Sequence, residues 1–330
     1  MKLISYLVLL LWLTALPACN KTNHSNSSAV NVYLGGQIKD GSGAYWKNGE
    51  LVALPSSMLF NPEFTALAIH ADNVYAVGPE STQIGNSLFY WENGKRFTLA
   101  VNLHGYLKGT ASADGSYYIV GTTGPSAENI EIWKDGIPSL IRGSAPNYYY
   151  EASGIAVSGN DIYVSGRDHG VHSLAAYWKN GQKFILSDSV NAAYTTSIMV
   201  SGNDVYVTGF QERASGNYKA IYWKNGSPMV LSDTSVGAIA YGIAVSGTDV
   251  YVSGTVGDMI TYWKNGIPVY LHDKNESVSV GIAVYNGDVY VCGSFYDNYI
   301  VGGYWKNNNF VPVNGASEDV YVTSILVTGQ

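Results

Sequence analysis

Tryptophan recurs along this chain at a nearly constant interval, and this regularity limits the possible folds more than any other feature. Seven tryptophans follow one another at spacings of 40 to 45 residues: Trp46, Trp91, Trp133, Trp178, Trp223, Trp263 and Trp305. Most of them lie in the motif Tyr-Trp-Lys-Asn-Gly, as at residues 177–181. A repeat of this length indicates one supersecondary unit that stacks on its neighbours to bury a continuous core.

A second motif precedes six of the seven tryptophans. Its clearest copy, residues 154–166, reads GIAVSGNDIYVSG, which is an apolar strand, a Gly-Asn turn and a second strand. Gly and Asn supply the positive φ angles that two-residue hairpin loops require. The Asn-Gly after most of the tryptophans marks another hairpin, followed by a short strand. Each repeat therefore predicts four antiparallel strands, which we name a, b, c and d.

Seven such units predict an all-β fold, a seven-bladed β-propeller that occupies residues 30–330. The two ends of this body complement each other. Residues 31–34 have the pattern of a strand b without a preceding strand a, and residues 324–329 that of a strand a without a following strand b. We therefore predict that the C-terminal strand completes the first blade and removes the exposed edge of an open ring.

The alternation of an aromatic-Trp-x-x-Gly turn with a Gly-Ile-containing hairpin resembles the HAF class of extracellular repeats. The resemblance covers most of residues 31–330, although the Ala-Phe-x-Trp form of that class is replaced here by Tyr-Trp-Lys-Asn-Gly. It implies a repeat architecture in an extracellular setting and implies no chemistry.

The repeated aromatic residues are expected to pack between blades, because both faces of a blade are covered by its neighbours. The tryptophans have an alternative interpretation as a ring of sugar-stacking sites, one in each blade. Strand b also carries a tyrosine in all seven units: Tyr33, Tyr75, Tyr118, Tyr163, Tyr206, Tyr251 and Tyr290. We expect these rings to pack as well, with their hydroxyls hydrogen-bonded.

Residues 1–18 have the layout of a secretory signal peptide, with a lysine, an apolar run of about 14 residues and then small residues. This run is shorter than the roughly 20 residues that a membrane-spanning helix needs. The sequence Leu-Pro-Ala-Cys at its end resembles the bacterial lipobox, which implies lipidation of Cys19. Plain secretion with cleavage near Ala18 is the alternative. Residues 19–29 are small and polar, so we expect a flexible tether.

The predicted lipid, with palmitate as one of its acyl chains, would attach the protein to a membrane of the bacterial cell envelope. The outer membrane, the periplasmic face and the cell surface all remain open. The formal net charge of −7 and the lack of a Lys/Arg stripe argue against nucleic acid as a partner. If Cys19 is lipidated, Cys292 is the only other cysteine, which excludes a disulfide framework. We expect a monomer.

The longer and more variable connections, b–c and d–a, lie on one face of the predicted ring, so recognition is expected there. A position three residues before each strand-a motif should surround the mouth of the central channel. It holds Tyr321, Glu63, Tyr106, Glu151, Tyr194, Ile239 and Val278. Tyrosines and carboxylates on one rim suit a neutral or cationic ligand such as a sugar. A mixed polar rim around a water-filled channel is the alternative.

Two further segments supply candidate binding residues. Residues 167–172 form the densest polar cluster, and Arg167 and His169 are candidates for ligand binding. His-x-x-His in a loop is a weak signal for a metal site, and a solvated loop is the alternative interpretation. Tyr150 ends a run of three tyrosines that either stacks on a sugar or covers the core.

The sequence shows no Gly-x-Ser-x-Gly motif, no His-Glu-x-x-His motif, no phosphate-binding loop and no sialidase Asp-box. We therefore predict a non-catalytic envelope lipoprotein that binds a glycan or a protein and requires neither cofactor nor metal. A glycan-active enzyme is one alternative, with Glu63 and Glu151 or the 167–172 segment as catalytic groups. A scaffold subunit of an envelope complex is another.

Overall fold

The computed structural model describes residues 30–39, 41–55, 66–82, 85–101, 105–124, 128–141, 149–169, 173–188, 190–232, 236–272, 278–313 and 319–330. These residues form 28 β-strands in seven antiparallel sheets of four strands each. The predicted seven-bladed propeller is therefore confirmed. Cys19 and Glu63 lie outside the described residues.

Each blade consists of four strands in the order a, b, c, d. Blade 1 contains β28 (Val320–Gly329), β1 (Val30–Ile38), β2 (Gly43–Lys47) and β3 (Glu50–Ala53). Blade 2 contains β4 (Ala66–His70), β5 (Asn73–Thr82), β6 (Gly85–Glu92) and β7 (Lys95–Ala100). Blade 3 contains β8 (Gly105–Ala113), β9 (Ser116–Thr123), β10 (Asn129–Lys134) and β11 (Ile137–Ile141).

The other four blades repeat this pattern without a break in chain order. Blade 4 contains β12 (Tyr149–Ser158), β13 (Asp161–His169), β14 (Ser173–Lys179) and β15 (Gln182–Ile185). Blade 5 contains β16 (Ala193–Ser201), β17 (Asp204–Glu212), β18 (Tyr218–Lys224) and β19 (Ser227–Val230). Blade 6 contains β20 (Ala238–Ser246), β21 (Asp249–Val256), β22 (Met259–Lys264) and β23 (Ile267–His272). Blade 7 contains β24 (Val278–Tyr285), β25 (Asp288–Tyr296), β26 (Ile300–Lys306) and β27 (Asn309–Pro312).

The C-terminal strand closes the ring as the sequence predicts. β28 pairs antiparallel with β1, and Leu34 lies opposite Ile325 in the centre of the ladder. Successive strands a contact one another around the axis, so β28 meets both β24 and β4. The strands a therefore surround a central channel, and the strands d form the outer edges of the blades.

The c–d turns show why the repeat ends its motif in Asn-Gly. In blade 4 both turn residues have positive φ, 49° at Asn180 and 82° at Gly181, which is the conformation of a type I′ hairpin. The Asn180 side chain also accepts a hydrogen bond from the Ile162 amide (2.9 Å) and donates one to Asp161 (2.7 Å). One asparagine thus shapes the turn and ties it to strand b.

The repeated tryptophans are buried, with between 1% and 3% of their surface exposed. Trp178 shows the arrangement, because it shares a core cluster with Val120 and Ile130 of the preceding blade. Packing between blades is therefore confirmed, and the interpretation of the tryptophans as a ring of sugar-stacking sites is wrong, since their rings are not accessible. The strand-b tyrosines are also buried, at 1% to 6% exposed.

The lysine that follows six of the seven repeated tryptophans contacts its own blade. Lys179 Nζ lies 2.7 Å from Asp161 Oδ2 and 5.2 Å from the centroid of the Tyr163 ring. Blade 2 replaces this lysine by Glu92, whose carboxylate accepts a hydrogen bond from the hydroxyl of the strand-b tyrosine, Tyr75 (3.2 Å). Asparagine occupies the aspartate position in that blade. Both members of the ion pair are therefore replaced in blade 2, whereas blades 1 and 3 keep the lysine without the aspartate.

Candidate functional site

A β-bulge in strand a shapes the mouth of the channel. In blade 4 the register shifts between Ala152 and Gly154, so Ser153 is an extra residue without a partner on strand b. Equivalent bulges occur in blades 1, 3, 5, 6 and 7. The extra residues that line the channel cavity are Lys108, Ser153, Thr196, Tyr241 and Thr323.

The residues predicted to ring the channel mouth lie two positions before the bulge. The glycine on strand b makes this arrangement possible, because a Cβ on Gly166 would overlap the backbone carbonyl of Glu151. Among the predicted rim residues, Tyr106 and Tyr321 are exposed, by 42% and 48%. The side chains of Glu151 and Tyr194 are partly buried instead.

A cavity of about 120 Å³ lies on this rim, between blades 3, 4 and 5. Its lining residues are Lys108, Glu151, Ala152, Ser153, Arg167, Tyr194 and Thr195. We call it the rim cavity. Three residues predicted from the sequence thus meet in one place, Glu151, Arg167 and Tyr194, and His169 joins them as a hydrogen-bond partner of Glu151.

Glu151 is the electrostatic centre of the rim cavity. Its Oε2 atom lies 3.2 Å from His169 Nε2 and accepts a hydrogen bond of 2.6 Å from Arg167 Nη2. The hydrogen bond to His169, and the nearby charges of Arg167 and Lys108, lower the pKa of Glu151 to about 2, against the opposing effect of burial. The carboxylate is therefore ionised at neutral pH and already satisfied by protein partners.

Tyr194 is a wall of the rim cavity with both ring faces covered. The Arg167 guanidinium lies 4.6 Å from its ring centroid, and the Phe210 ring stacks at 4.7 Å between centroids. Its hydroxyl donates a hydrogen bond of 3.1 Å to Glu212 Oε1. A ring held in this way positions Arg167 and offers no free face on which a sugar could stack, so only Tyr106 and Tyr321 remain as stacking candidates among the predicted rim tyrosines.

Lys108 is a site residue that the sequence analysis missed. It lines both the rim cavity and a larger channel cavity of about 320 Å³, and it is the only charged residue among those described that line the latter. Its amine lies 5.3 Å from the centroid of the Tyr106 ring. The sequence signal that could have identified Lys108 is its position in the repeat. The equivalent positions of other blades carry a hydroxyl residue, as at Ser153, Thr196 and Thr323, and Lys108 departs from this pattern.

Of the described tyrosines that precede Glu151, one lies in the core and one at the rim. Tyr150 is 5% exposed and packs 4.9 Å from Trp178, so its ring covers the core between blades 3 and 4. Lys183 lies over the same ring and forms an ion pair of 2.6 Å with Asp168. Tyr149 is more exposed and stacks on His169 at 3.9 Å.

Over the residues that the structure describes, no three His, Cys, Asp or Glu side chains lie close enough to hold a metal ion. Within the same residues, no helix has the length and apolar character to cross a membrane. Cys292 is buried and free, and its burial raises the pKa of the thiol to about 12.

Comparison with known proteins shows a similarity of fold. No family model matches the chain, and no curated protein matches it. The resemblance to HAF repeats therefore stays a prediction. Among solved structures, the chain is similar to that of a Mycobacterium tuberculosis puromycin-hydrolyzing peptidase, with 10% identity and a TM-score of 0.54. The match covers 78% of this chain and 47% of the peptidase, so the chain spans about half of that protein's length. At this identity, what the two proteins share is the fold.

Proposed function

We propose that this propeller is a non-catalytic binding module that takes a saccharide at the rim cavity. The observation that carries the proposal is the cavity itself, a polar recess that meets the central channel on the face of the variable connections. Rigid scaffolds commonly present recognition residues in this way. Lys108 and Ser153 line both spaces, so one ligand is able to contact rim and channel together.

The chemistry around the rim cavity suits a saccharide. Tyr106 exposes ring surface beside Lys108, Tyr321 exposes ring surface farther along the rim in blade 1, and aromatic faces pack against the apolar faces of sugar rings. The amine of Lys108, the guanidinium of Arg167 and the hydroxyl of Ser153 line the cavity, and groups of these kinds hydrogen-bond sugar hydroxyls. The exposed tyrosines lie in different blades, which fits an extended ligand better than a single small molecule.

Glu151 does not fit the acid of the glycosidase alternative. A glycosidase needs one carboxylic acid that keeps its proton near neutral pH, together with a second, ionised carboxylate. Glu151 matches only the second role, because its protein partners hold its pKa at about 2. Glu63, the second acid considered from the sequence, lies outside the described residues.

A hydrolase of the serine type is the second candidate, since three side chains partly match a catalytic triad. Ser173 Oγ lies 3.5 Å from His169 Nδ1, and His169 Nε2 lies 3.2 Å from Glu151. The structural neighbour is named as a peptidase. Binding is favoured, because the Ser–His distance is long for a hydrogen bond and Glu151 is engaged by Arg167. Peptide hydrolysis that is lost in Ser173→Ala would favour the hydrolase instead.

We also propose that the module is held at the bacterial cell envelope by a lipid on Cys19. The support is the signal-like segment 1–18 with its Leu-Pro-Ala-Cys end and the polar residues that follow it. Cells grown with labelled palmitate test this point. Label in the wild-type protein that is absent from Cys19→Ala is the expected result, and label that persists in the variant excludes this anchor.

A glycan array tests saccharide binding. The wild-type protein should bind a subset of glycans, and Tyr106→Ala and Tyr321→Ala should each weaken that binding by about tenfold, the loss expected for one stacking contact. Tyr270→Ala is the matched control, because Tyr270 is 55% exposed but lies on the outer strand β23. If all four proteins bind alike, or none binds, the proposal fails.

A further inference from the structure

We infer that the ligand of the rim cavity is an acidic saccharide, whose carboxylate is bound by Lys108 where the cavity meets the channel. The inference rests on the proposed function and adds the chemical class of the sugar. It follows from three observations, which are the exceptional position of Lys108, the neutralisation of Glu151 by other groups and the hydroxyls of the channel wall.

Lys108 departs from the pattern of the bulge position. In blades 4 and 5 the bulge residue is tied to the next blade. Ser153 hydrogen-bonds to Thr195 (2.7 Å), and Thr196 donates to the carbonyl of Ala240 (2.8 Å). Lys108 instead places an amine at this point, and within the described part of the chain that amine forms no ion pair or hydrogen bond, only the contact with the Tyr106 ring.

Glu151, the acidic residue of the rim cavity, does not neutralise the charge of Lys108 through a direct contact. Glu151 already receives a hydrogen bond from Arg167 and contacts His169. The three charged residues that line the rim cavity, Lys108, Arg167 and Glu151, therefore leave one positive charge in excess. A recess with low-dielectric walls strengthens the attraction of such a charge for an anion.

The channel wall beside Lys108 offers uncharged hydrogen-bonding groups. Thr110 Oγ1 and Ser324 Oγ are buried and have no hydrogen-bond partner within the described part of the chain, and both residues line the channel cavity. Buried hydroxyls in native proteins are nearly always hydrogen-bonded, so these two are suited to a polar group that enters the channel. Sugar hydroxyls meet this requirement, with or without bridging water.

The neighbouring Tyr106 distinguishes an acidic sugar from a simple anion. Its exposed ring lies beside the Lys108 amine, so a pyranose ring can pack on the aromatic surface while its carboxylate reaches the amine. Free phosphate would be bound only through the positive charge of the Lys108 amine. A lysine amine is a single point charge and lacks the two-pronged geometry with which arginine binds phosphate, and Arg167 is already paired with Glu151.

The test uses an array of matched sugar pairs and the full-length chain purified in detergent. Each pair differs in one charge: glucuronate and glucose, galacturonate and galactose, and sialylated and desialylated glycans. The expected result is that acidic members bind at least about tenfold more tightly and that this preference shrinks as salt is raised. Lys108→Gln should remove the preference and keep the binding of neutral sugars. Lys95→Gln, an exposed lysine at the start of β7, should change nothing.

Each outcome decides between the two proposals. Binding of both members of each pair with equal affinity, or a preference that persists in Lys108→Gln, overturns the inference and leaves the proposed function standing. Acetate or inorganic phosphate that binds as tightly as the acidic sugars overturns the assignment to a saccharide. If the wild-type protein binds no sugar, the proposed function and the inference both fail. Unchanged thermal unfolding of the two lysine variants establishes that they are folded.

Discussion

Glu151 and Arg167 lie directly opposite each other on β12 and β13, and their side chains form an ion pair of 2.6 Å. The pairing follows from the register that the bulge at Ser153 sets. Because Arg167 also covers the ring of Tyr194, this one cross-strand contact connects blade 4 with blade 5. The interactions that shape the rim cavity thus also hold two blades together.

The ionisation of Glu151 should make stability depend on pH. Its pKa is lowered from 4.5 to about 2 in the folded chain, so its contribution is complete above about pH 4.5 and is lost as the pH falls towards 2. We expect Glu151→Gln to lower the free energy of unfolding at pH 7 by on the order of 2 kcal/mol, since the group is partly exposed. The measurement is urea denaturation of the variant and the wild type at several pH values.

The free energies of unfolding of the wild type and of Glu151→Gln, plotted against pH, should converge in acid. Wild type and Glu151→Gln should approach equal stability near pH 2, where the wild-type carboxylate becomes protonated. The control is Glu50→Gln, because Glu50 is an exposed residue at the start of β3. A difference between Glu151→Gln and wild type that stays constant from pH 7 to pH 2 would contradict the electrostatic explanation.

Gly166 should tolerate no side chain. A Cβ at this position would overlap the carbonyl of Glu151 and approach the Trp178 ring to 3.0 Å. We expect Gly166→Ala to cost about 1–3 kcal/mol of stability, as overpacked cores do, and to displace the rim residue outward. Thermal unfolding reports the first effect. Sugar binding measured well below the unfolding temperature reports the second.

Gly237→Ala serves as the comparison for this substitution. The nearest atoms to a Cβ on Gly237 are 3.9 Å away, which is ordinary van der Waals contact. This variant should unfold within a few tenths of a kcal/mol of the wild type, as surface substitutions usually do. Equal stability of the two alanine variants would mean that the strand-b glycine is not required by the bulge.

The fold was predictable from the sequence because its determinants are local and repeated. Asn180-Gly181 specifies a type I′ turn through the φ preferences of two residues, and the same signal recurs along the chain. The pairing of the first and last strands needed one further observation, that each end of the body lacks the strand that the other supplies. Neither inference required knowledge of side-chain packing.

The site was less predictable because it depends on contacts between blades. The sequence placed Tyr194 on the rim but did not show that Arg167 and Phe210 cover its two faces. Lys108 was missed because the bulge position becomes visible only when the seven repeats are compared, and a single strand carries no signal that its extra residue faces the channel. The sequence suggested a neutral or cationic ligand, whereas our proposal of an anionic one depends on the contacts of Glu151, which the sequence did not show.

The pairing of the first strand, β1, with the last, β28, predicts a viable circular permutant. Thr328 pairs with Asn31 just as Ser158 pairs with Asp161 on either side of the Gly159-Asn160 turn. Joining Gln330 directly to Asn31 therefore creates a Gly-Gln turn of the same length. With new termini between β11 and β12, we expect a soluble protein with one cooperative unfolding transition, followed by circular dichroism.

A shortened junction is the control for this permutant. Without Gln330, only Gly329 would remain between the paired residues, which is too short for a two-residue hairpin. This version should lose the pairing of β28 with β1 and become less stable or insoluble. If both junctions fold equally well, the geometry of the closing turn does not determine closure.

Substitutions in the a–b turn of blade 2 should stabilise the protein, because both central residues of this turn have positive φ and neither is glycine. Ala71 has a φ of 46° and Asp72 of 66°, whereas blade 7 uses Asn286 and Gly287 for the same turn. Ala71→Asn combined with Asp72→Gly should raise the free energy of unfolding by about 1 kcal/mol, since alanine is strained in this region. Denaturant midpoints provide the measurement. Asp114→Asn, in a turn that already contains Gly115, should give no comparable gain, and an equal gain there would show that strain at Ala71 is not the cause.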